Sequence, residues 1–303
     1  MDVAVIIPTL NAAKRLPKML ALIQGQTLQP KEVLVVDSNS TDGTAEIANQ
    51  FGIRVLPLGG AQFNHGATRQ WALEQTTSEI VVYLTDDAFP ADKFAIENLC
   101  VALERVKDAG MAYGRQLPSP GATMLARHHR EFNYPDKSCV NRKENIPELG
   151  MKVFFASNSF AAYRRSVLLA VGGFPRDTIF GEDAHVAARM ILAGYAVVYA
   201  GNAAVLHSHN YSLGQEFRRY FDAGVFHARN PWLKRSFGGP SSEGLRFVKS
   251  EFLFLFRNRN ARLIPHAVLA TMMKYLGFRV GKMEHYLPDS VKRRIGLYRD
   301  YWA

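Results

Sequence analysis

Cysteine is nearly absent: Cys100 and Cys139 are the only two in 303 residues. No disulfide framework is available, and a reducing compartment is expected. Nor does any apolar run reach the roughly 18 residues of a membrane-spanning helix. The N-terminus enters a strand pattern at once, without the basic and apolar regions of a secretory signal. These absences predict a cytoplasmic protein, at most peripheral on the inner face of the plasma membrane. Glycine is scarce where a dinucleotide-binding enzyme would need it. The turn after the first apolar segment is Pro8-Thr9-Leu10-Asn11, with no Gly-x-Gly-x-x-Gly to bring backbone against a pyrophosphate. Acidic residues thin out toward the end. Residues 211–303 hold 17 Lys+Arg against 7 Asp+Glu, whereas residues 1–210 hold 20 of each, so the whole net charge of +10 lies in the last third. A neutral body over 1–210 and a basic region over 211–303 are therefore expected.

What is present begins with buried strands. Val3–Thr9 and Glu32–Asp37 are short apolar runs, each followed by a helical pattern: Leu16, Met19, Leu20 and Ile23 after the first, Ala45, Ile47, Ala48 and Phe51 after the second. Ile53–Leu56 makes a third strand. Repeated strand–helix units predict an α/β fold with a Rossmann-like parallel sheet. Ile80–Leu84 reads as another buried strand, and Asp86 and Asp87 follow it. Ligands bind at the carboxyl ends of strands in such sheets. Two adjacent acids repel each other unless a cation neutralises them, and a divalent metal carrying a phosphorylated ligand does so; a solvated turn before a helix is the alternative. Asp37, also at a strand end, is a candidate for a base or ribose contact or for a helix N-cap.

Further along, Met111–Gln116 reads as a strand and Val153–Arg165 as a strand pair. Residues 117–150 read as irregular, a lid or acceptor-side segment; its His128-His129 pair lacks a Cys or acid at metal-ligand spacing. Asn158 and Ser159 are candidate acceptor contacts. Gly181-Glu182-Asp183 opens a helix, where the acids either serve chemistry or complement the helix dipole. Tyr195–Tyr199 and Ala204–Leu206 read as two short strands, followed by His207 and His209, whose alternation turns both to one side. Phe63, Trp71, Phe155, Phe160 and Phe180 are candidate cleft aromatics. Beyond residue 211, amphipathic helices carry aromatic stripes among Lys and Arg. They suit an anionic membrane surface or a homo-oligomer interface; no nucleic-acid motif is present.

Four segments occur in order: Ile-Ile-Pro-Thr-Leu-Asn at 6–11, Val-Val-Asp-Ser-Asn-Ser-Thr-Asp-Gly-Thr at 35–44, Gly-Ala-Thr-Arg at 66–69 and Thr-Asp-Asp-Ala at 85–88. Together they resemble family 2 of the nucleotide-sugar glycosyltransferases, which has the GT-A fold. The resemblance implies a catalytic domain over 1–210 with a helical appendage over 211–303. It implies a nucleotide site at Pro8, Thr9, Asn11, Asp37, Arg69 and Asp86, and Mg²⁺ or Mn²⁺ on Asp87, with His207 as a further ligand. Asp183, beside Glu182, is implied as the base of an inverting transfer. Thr-Asp-Asp departs from the usual Asp-x-Asp, which leaves the part of Asp86 open between ribose contact and support of its neighbour. Within the family, Thr-Asp-Asp-Ala, the Gly-Glu-Asp helix and His-Ser-His-Asn-Tyr-Ser at 207–212 look most like bacterial rhamnosyltransferases. Those use dTDP-L-rhamnose and a saccharide or lipid-linked saccharide acceptor to build O-antigen and related surface polysaccharide.

Overall fold

The computed structural model describes residues 1–60, 62–238 and 243–302. Nine strands form one mixed sheet: β1 Val3–Thr9, β2 Glu32–Asp37, β3 Arg54–Pro57, β4 Ile80–Leu84, β5 Phe89–Pro90, β6 Ala109–Leu117, β7 Cys139–Asn141, β8 Phe160–Arg164 and β9 Ala196–Leu206. Their order is β3-β2-β1-β4-β8-β6-β9-β5, with β7 also on β9. The β1, β2, β3 and β4 pairings are parallel, β8 runs antiparallel to both β4 and β6, and β6 and β9 are parallel again.

The apolar runs are continuous because the sheet is covered on both faces. Along β1, Ile6 enters the cluster with Tyr83, Tyr163 and Phe174, while Val5 and Ile7 enter the opposite one with Leu16, Leu20 and Leu99. That is the period-2 alternation of a strand. Burying each Ile or Leu contributes roughly 1.5–3 kcal/mol. The helices Leu16–Gln24 and Ala95–Arg105 supply the second cluster.

Three sequence expectations need correction. Residues 117–150 are not irregular: a helix, Met124–Asn133, starts there with the Thr123 hydroxyl accepting from the Ala126 N–H, and β7 follows. Val153–Arg165 holds one strand, β8, not two. Val153 and Phe154 lie in a 3₁₀ turn, Gly150–Phe154, which puts Phe154 edge-on to Phe237 at 4.7 Å. The two short strands over 195–206 are one, β9, with an irregularity between Ala200 and Ala204 opposite Gly114–Arg115.

The C-terminal helices are Leu213–Arg229, Pro231–Phe237, Glu243–Arg257, Ile264–Gly281 and Asp289–Ile295. The first and fourth approach backbone to backbone. A Cβ on Gly277 or Gly281 would collide with the carbonyls of Phe217 and Phe221, so glycine is required there. Phe221, Val225, Phe226, Leu233 and Phe237 join the cluster under the sheet. The final segment returns to the same side. Asp222 accepts the N–H groups of Leu297 and Tyr298 at 2.9 and 3.0 Å, and Tyr298 stacks on Phe180 and stands edge-on to His65.

Candidate active site

The carboxyl ends of β1, β2 and β4 form one rim. In the β1–β2 register Thr9 sits opposite Asp37. Asp37 is buried; it accepts from the Ser40 N–H at 3.0 Å and, at 3.5 Å, from the Thr9 hydroxyl. It therefore caps the turn rather than the helix Thr44–Gln50, whose N-cap is Gly43. Asn11 adopts a left-handed φ of 49° and laces the two loops together: its N–H donates to Ser40 Oγ at 2.9 Å, and its Oδ1 accepts from the Thr41 N–H at 3.0 Å. Pro8, one residue before Thr9, is half-buried in β1.

Beyond β4, the two acids diverge. Asp86 meets Arg15 at 2.7 Å. Burial raises its pKa while Arg15 opposes the rise. Asp87 faces two histidines, with Oδ1 3.4 Å from His207 Nε2 and Oδ2 3.7 Å from His209 Nε2. Ligand atoms of all three lie within 4.8 Å of one another. Burial would raise the Asp87 pKa, but His207 and then His209 outweigh it and hold the carboxyl well below its ordinary range. Burial, with His207 beside it, pushes His209 down to about 4 against the pull of Asp87. The buried His207 has its Nδ1 2.9 Å from Gln116 Oε1, and Gln116 Nε2 donates to Ser157 Oγ at 2.8 Å. A ring that donates from Nδ1 to an amide oxygen keeps the Nε2 lone pair for a metal. One carboxylate and two imidazoles thus form a donor set that fits a divalent transition ion.

The second acid pair lies at the start of the helix Glu182–Leu192. Gly181, before it, takes a left-handed φ of 78° with the Phe226 ring packed against it, a turn that favours glycine. Asp183 is half-buried. Its two oxygens accept separate backbone N–H groups, Asn158 to Oδ2 at 2.9 Å and Ala184 to Oδ1 at 2.7 Å. Burial, and next the Glu182 charge, raise its pKa to about 7. Glu182 is buried, 3.2 Å from Arg69 and accepting from Asn158 Nδ2 at 2.9 Å. Its burial favours protonation, yet Arg69 and the other cationic and hydrogen-bonding partners win and hold its pKa low. Neighbouring acids pushed apart in this way read as a structural anion beside a proton acceptor.

Two of the expected contact residues are buried against the acid pair. Arg69 is only 4% exposed and is engaged by Glu182 and by the His65 carbonyl at 2.9 Å. It thus anchors the acid pair, while its Nε has no hydrogen-bond partner among the described residues. Asn158 is 2% exposed, with Nδ2 on Glu182 and Oδ1 accepting from the Tyr163 hydroxyl at 2.6 Å. It supports the acid pair instead of facing an acceptor. Ser159, half-buried, remains at the rim, its carbonyl taking the Thr85 N–H at 3.2 Å. Phe160 is fully buried in the second cluster, so it leaves the set of cleft aromatics.

Three participants escaped the sequence reading as site residues. His209 carried a signal, its alternation with His207. Gln116 and Arg15 carried none, since their partners lie 91 and 71 residues away.

The Glycosyl transferase family 2 model matches residues 4–172. The chain belongs to that family. It is a glycosyltransferase with the mixed, helix-flanked sheet of the GT-A fold. It is 47% identical to the O-antigen chain rhamnosyltransferase WbaN of Salmonella anatum over 98% of this chain and 94% of that protein. It is 27% identical to the N-acetylglucosaminyl-diphospho-decaprenol L-rhamnosyltransferase of Mycobacterium tuberculosis, over 70% of this chain and 78% of that one. The mannosyltransferase PcManGT of Pyrobaculum calidifontis, solved with GDP-Man and Mn²⁺, has the same fold. Its TM-score is 0.61 at 18% identity, over 94% of this chain and 86% of that one.

Proposed function

We propose that this glycosyltransferase moves L-rhamnose from dTDP-L-rhamnose to a saccharide carried on a lipid, with inversion, in the synthesis of O-antigen or a related surface polysaccharide. The observation that carries the donor and the pathway class is the 47% identity to a rhamnosyltransferase over nearly the whole chain. The geometry supports the following parts. Pro8, Thr9, Asn11 and Asp37 border the nucleotide, and Asp86, held by Arg15, supports the rim beside Asp87. Asp87, His207 and His209 would hold a divalent cation, whose charge would stabilise the departing nucleoside diphosphate. Two imidazoles favour Mn²⁺ over Mg²⁺, which prefers oxygen ligands.

Asp183 is the base. Two backbone N–H groups fix its carboxylate, and a pKa of about 7 suits a group that must be ionised at rest and gain a proton in the transition state. It takes the proton of the acceptor hydroxyl as that oxygen attacks the anomeric carbon and the sugar–phosphate bond breaks on the opposite side. One displacement with one base turns a β-linked donor into an α-linked product.

The acceptor's lipid fits the outer surface of the C-terminal helices. Phe256, Leu269, Met272, Tyr275 and Leu276 are exposed there, Phe256 and Tyr275 by 62%, among Arg257, Arg259, Arg262 and Arg279. Exposed apolar side chains and exposed arginines on the same helices and their connection suit an anionic membrane surface. Among the described residues, no helix is long and apolar enough to cross a membrane.

Calorimetric titration with UDP-, GDP- and dTDP-sugars in Mn²⁺, followed by product analysis, tests the donor. We expect dTDP-L-rhamnose to bind and to give an α-linked product. Tight binding of a UDP-hexose with no response to dTDP-L-rhamnose would refute the donor and leave the role of Asp183 standing.

A further inference from the structure

Two arginines, Arg130 buried and Arg219 half-buried, have no part in the mechanism above. Arg130, on the helix Met124–Asn133, is 9% exposed. Among the described residues its guanidinium has no carboxylate partner within ion-pair distance and no hydrogen bond, only the Tyr134 ring 5.8 Å beneath it. Arg219, on the helix Leu213–Arg229, meets the Tyr211 hydroxyl at 3.3 Å and the face of that ring at 5.5 Å. Both line one recess of about 50 Å³, which also includes Lys274 and reaches His209 of the metal-ligand cluster. The recess contains one carboxylate, Glu216, and Lys274 lies 3.6 Å from it. Asp87, whose field reaches Arg130, is already shared by His207 and His209. Among the described residues neither guanidinium has a carboxylate within ion-pair distance, although the field of Arg219 also reaches the buried Asp222. Buried charges are ordinarily paired, so the recess is built for an anion that arrives from outside.

We propose that Arg130 and Arg219 bind the phosphate that joins the acceptor saccharide to its lipid, at a site separate from the donor's diphosphate. The proposal rests on the lipid-linked acceptor of the preceding section. Guanidinium groups are forked donors that match phosphate oxygens in pairs, and the aromatic rings against them fix their planes. Position agrees with chemistry. Lys274 lines the recess from the helix Ile264–Gly281, and the neighbouring Met272 and Tyr275 on that helix are exposed. An acceptor lying across this helix would set its lipid on the apolar face, its phosphate in the recess, and its sugar toward His209 and Asp87.

The test is calorimetric titration of the full-length protein, saturated with dTDP and Mn²⁺, with farnesyl diphosphate and with farnesol as probes. Wild type is expected to bind farnesyl diphosphate and to bind farnesol at least tenfold more weakly. Arg130→Gln and Arg219→Gln should each weaken farnesyl diphosphate tenfold or more and leave dTDP affinity within twofold. Their melting temperatures should be unchanged or higher, because an unpaired buried cation has been removed. If either glutamine variant fails to fold, Arg→Lys at that position decides instead: the charge stays, the fork is lost, and several-fold weaker farnesyl diphosphate binding is expected. Equal losses for dTDP and farnesyl diphosphate would assign the arginines to the donor and overturn the proposal. So would equal binding of farnesol and farnesyl diphosphate, or wild-type affinity in the variants. Failure of dTDP-L-rhamnose to bind wild type would sink the donor reading alone.

Discussion

Glu182→Gln isolates the electrostatic setting of the base. The exchange keeps the shape and leaves an amide oxygen to accept from Asn158 Nδ2 and Arg69, but removes the charge beside Asp183. Asp183 is raised from an ordinary 3.8 to about 7, with burial the larger cause and Glu182 the second. Removing the Glu182 charge therefore lowers the Asp183 pKa from about 7 toward its ordinary value, each pH unit of fall being equivalent to about 1.4 kcal/mol. The assay is kcat/KM against pH. In wild type the rate should rise through a midpoint near pH 7 as Asp183 loses its proton, and in Glu182→Gln that midpoint should fall measurably below pH 7. At pH 6 the variant would then have more of its base ionised than wild type has. Asp183→Asn should lose transfer by roughly 10²–10⁴-fold at every pH while keeping donor affinity. Stability should move separately: Arg69 loses its buried counter-charge, a change that costs up to about 3–5 kcal/mol when a partner is removed outright. An unshifted midpoint in Glu182→Gln, or an inactive Glu182→Gln beside an active Asp183→Asn, would show that the base has been assigned to the wrong residue.

The metal site predicts that EDTA stops transfer, that Mn²⁺ restores it better than Mg²⁺, and that Asp87→Ala abolishes metal-dependent donor binding with little change in melting temperature; undiminished turnover in EDTA would end the metal assignment. On the helical surface, Arg257→Glu, Arg259→Glu and Arg262→Glu together should release the protein from anionic liposomes, at about 1 kcal/mol per basic residue and less in high salt. If the triple variant instead changes only from dimer to monomer, that surface is an interface between copies.

The parts legible in the sequence are those fixed by short-range rules. β1, β2 and β4 are buried on both faces, so their runs of Val, Ile and Leu announce them, and the acids at their ends mark the rim. Asp87 and Asp183 could be singled out because each sits at a break between elements. Residues 117–150 were opaque for the opposite reason. Their short helix and strand are secured by distant partners, such as Arg142 with Asp108 and the Tyr199 hydroxyl with the Pro135 carbonyl, and no local periodicity encodes those. The same holds for Arg69. As a residue type it reads as a surface cation, and only the fold brings Glu182 to within 3.2 Å and buries both. The return of the final segment to the site was hidden as well, because its anchor, Asp222, is one of two acids in a helix with many basic and aromatic residues.

That anchor permits a prediction with a definite sign. Asp222 is fully buried, and burial raises its pKa to about 7 even though two N–H groups point at it. Both donate to Oδ2, while among the described residues Oδ1 has no hydrogen-bond partner. An acid whose folded pKa is raised holds its proton longer in the folded state than in the unfolded chain. Stability therefore falls as pH climbs from about 4 toward 7, and the whole penalty, a few kcal/mol, is present above that. Asp222→Asn keeps one oxygen for Leu297 and Tyr298 and cannot ionise. It should raise the melting temperature at pH 8 and have little effect at pH 4.5. Asp222→Leu removes the acceptor, leaves two N–H groups unpaired at about 1–3 kcal/mol each, and should expose residues 297–302 to faster hydrogen exchange at both pH values. If Asp222→Asn is instead destabilising at pH 8, the carboxylate is ionised in the fold and a cation must reach it. Arg219 is the one whose field already does, and pairing with Asp222 would then remove it from the phosphate recess.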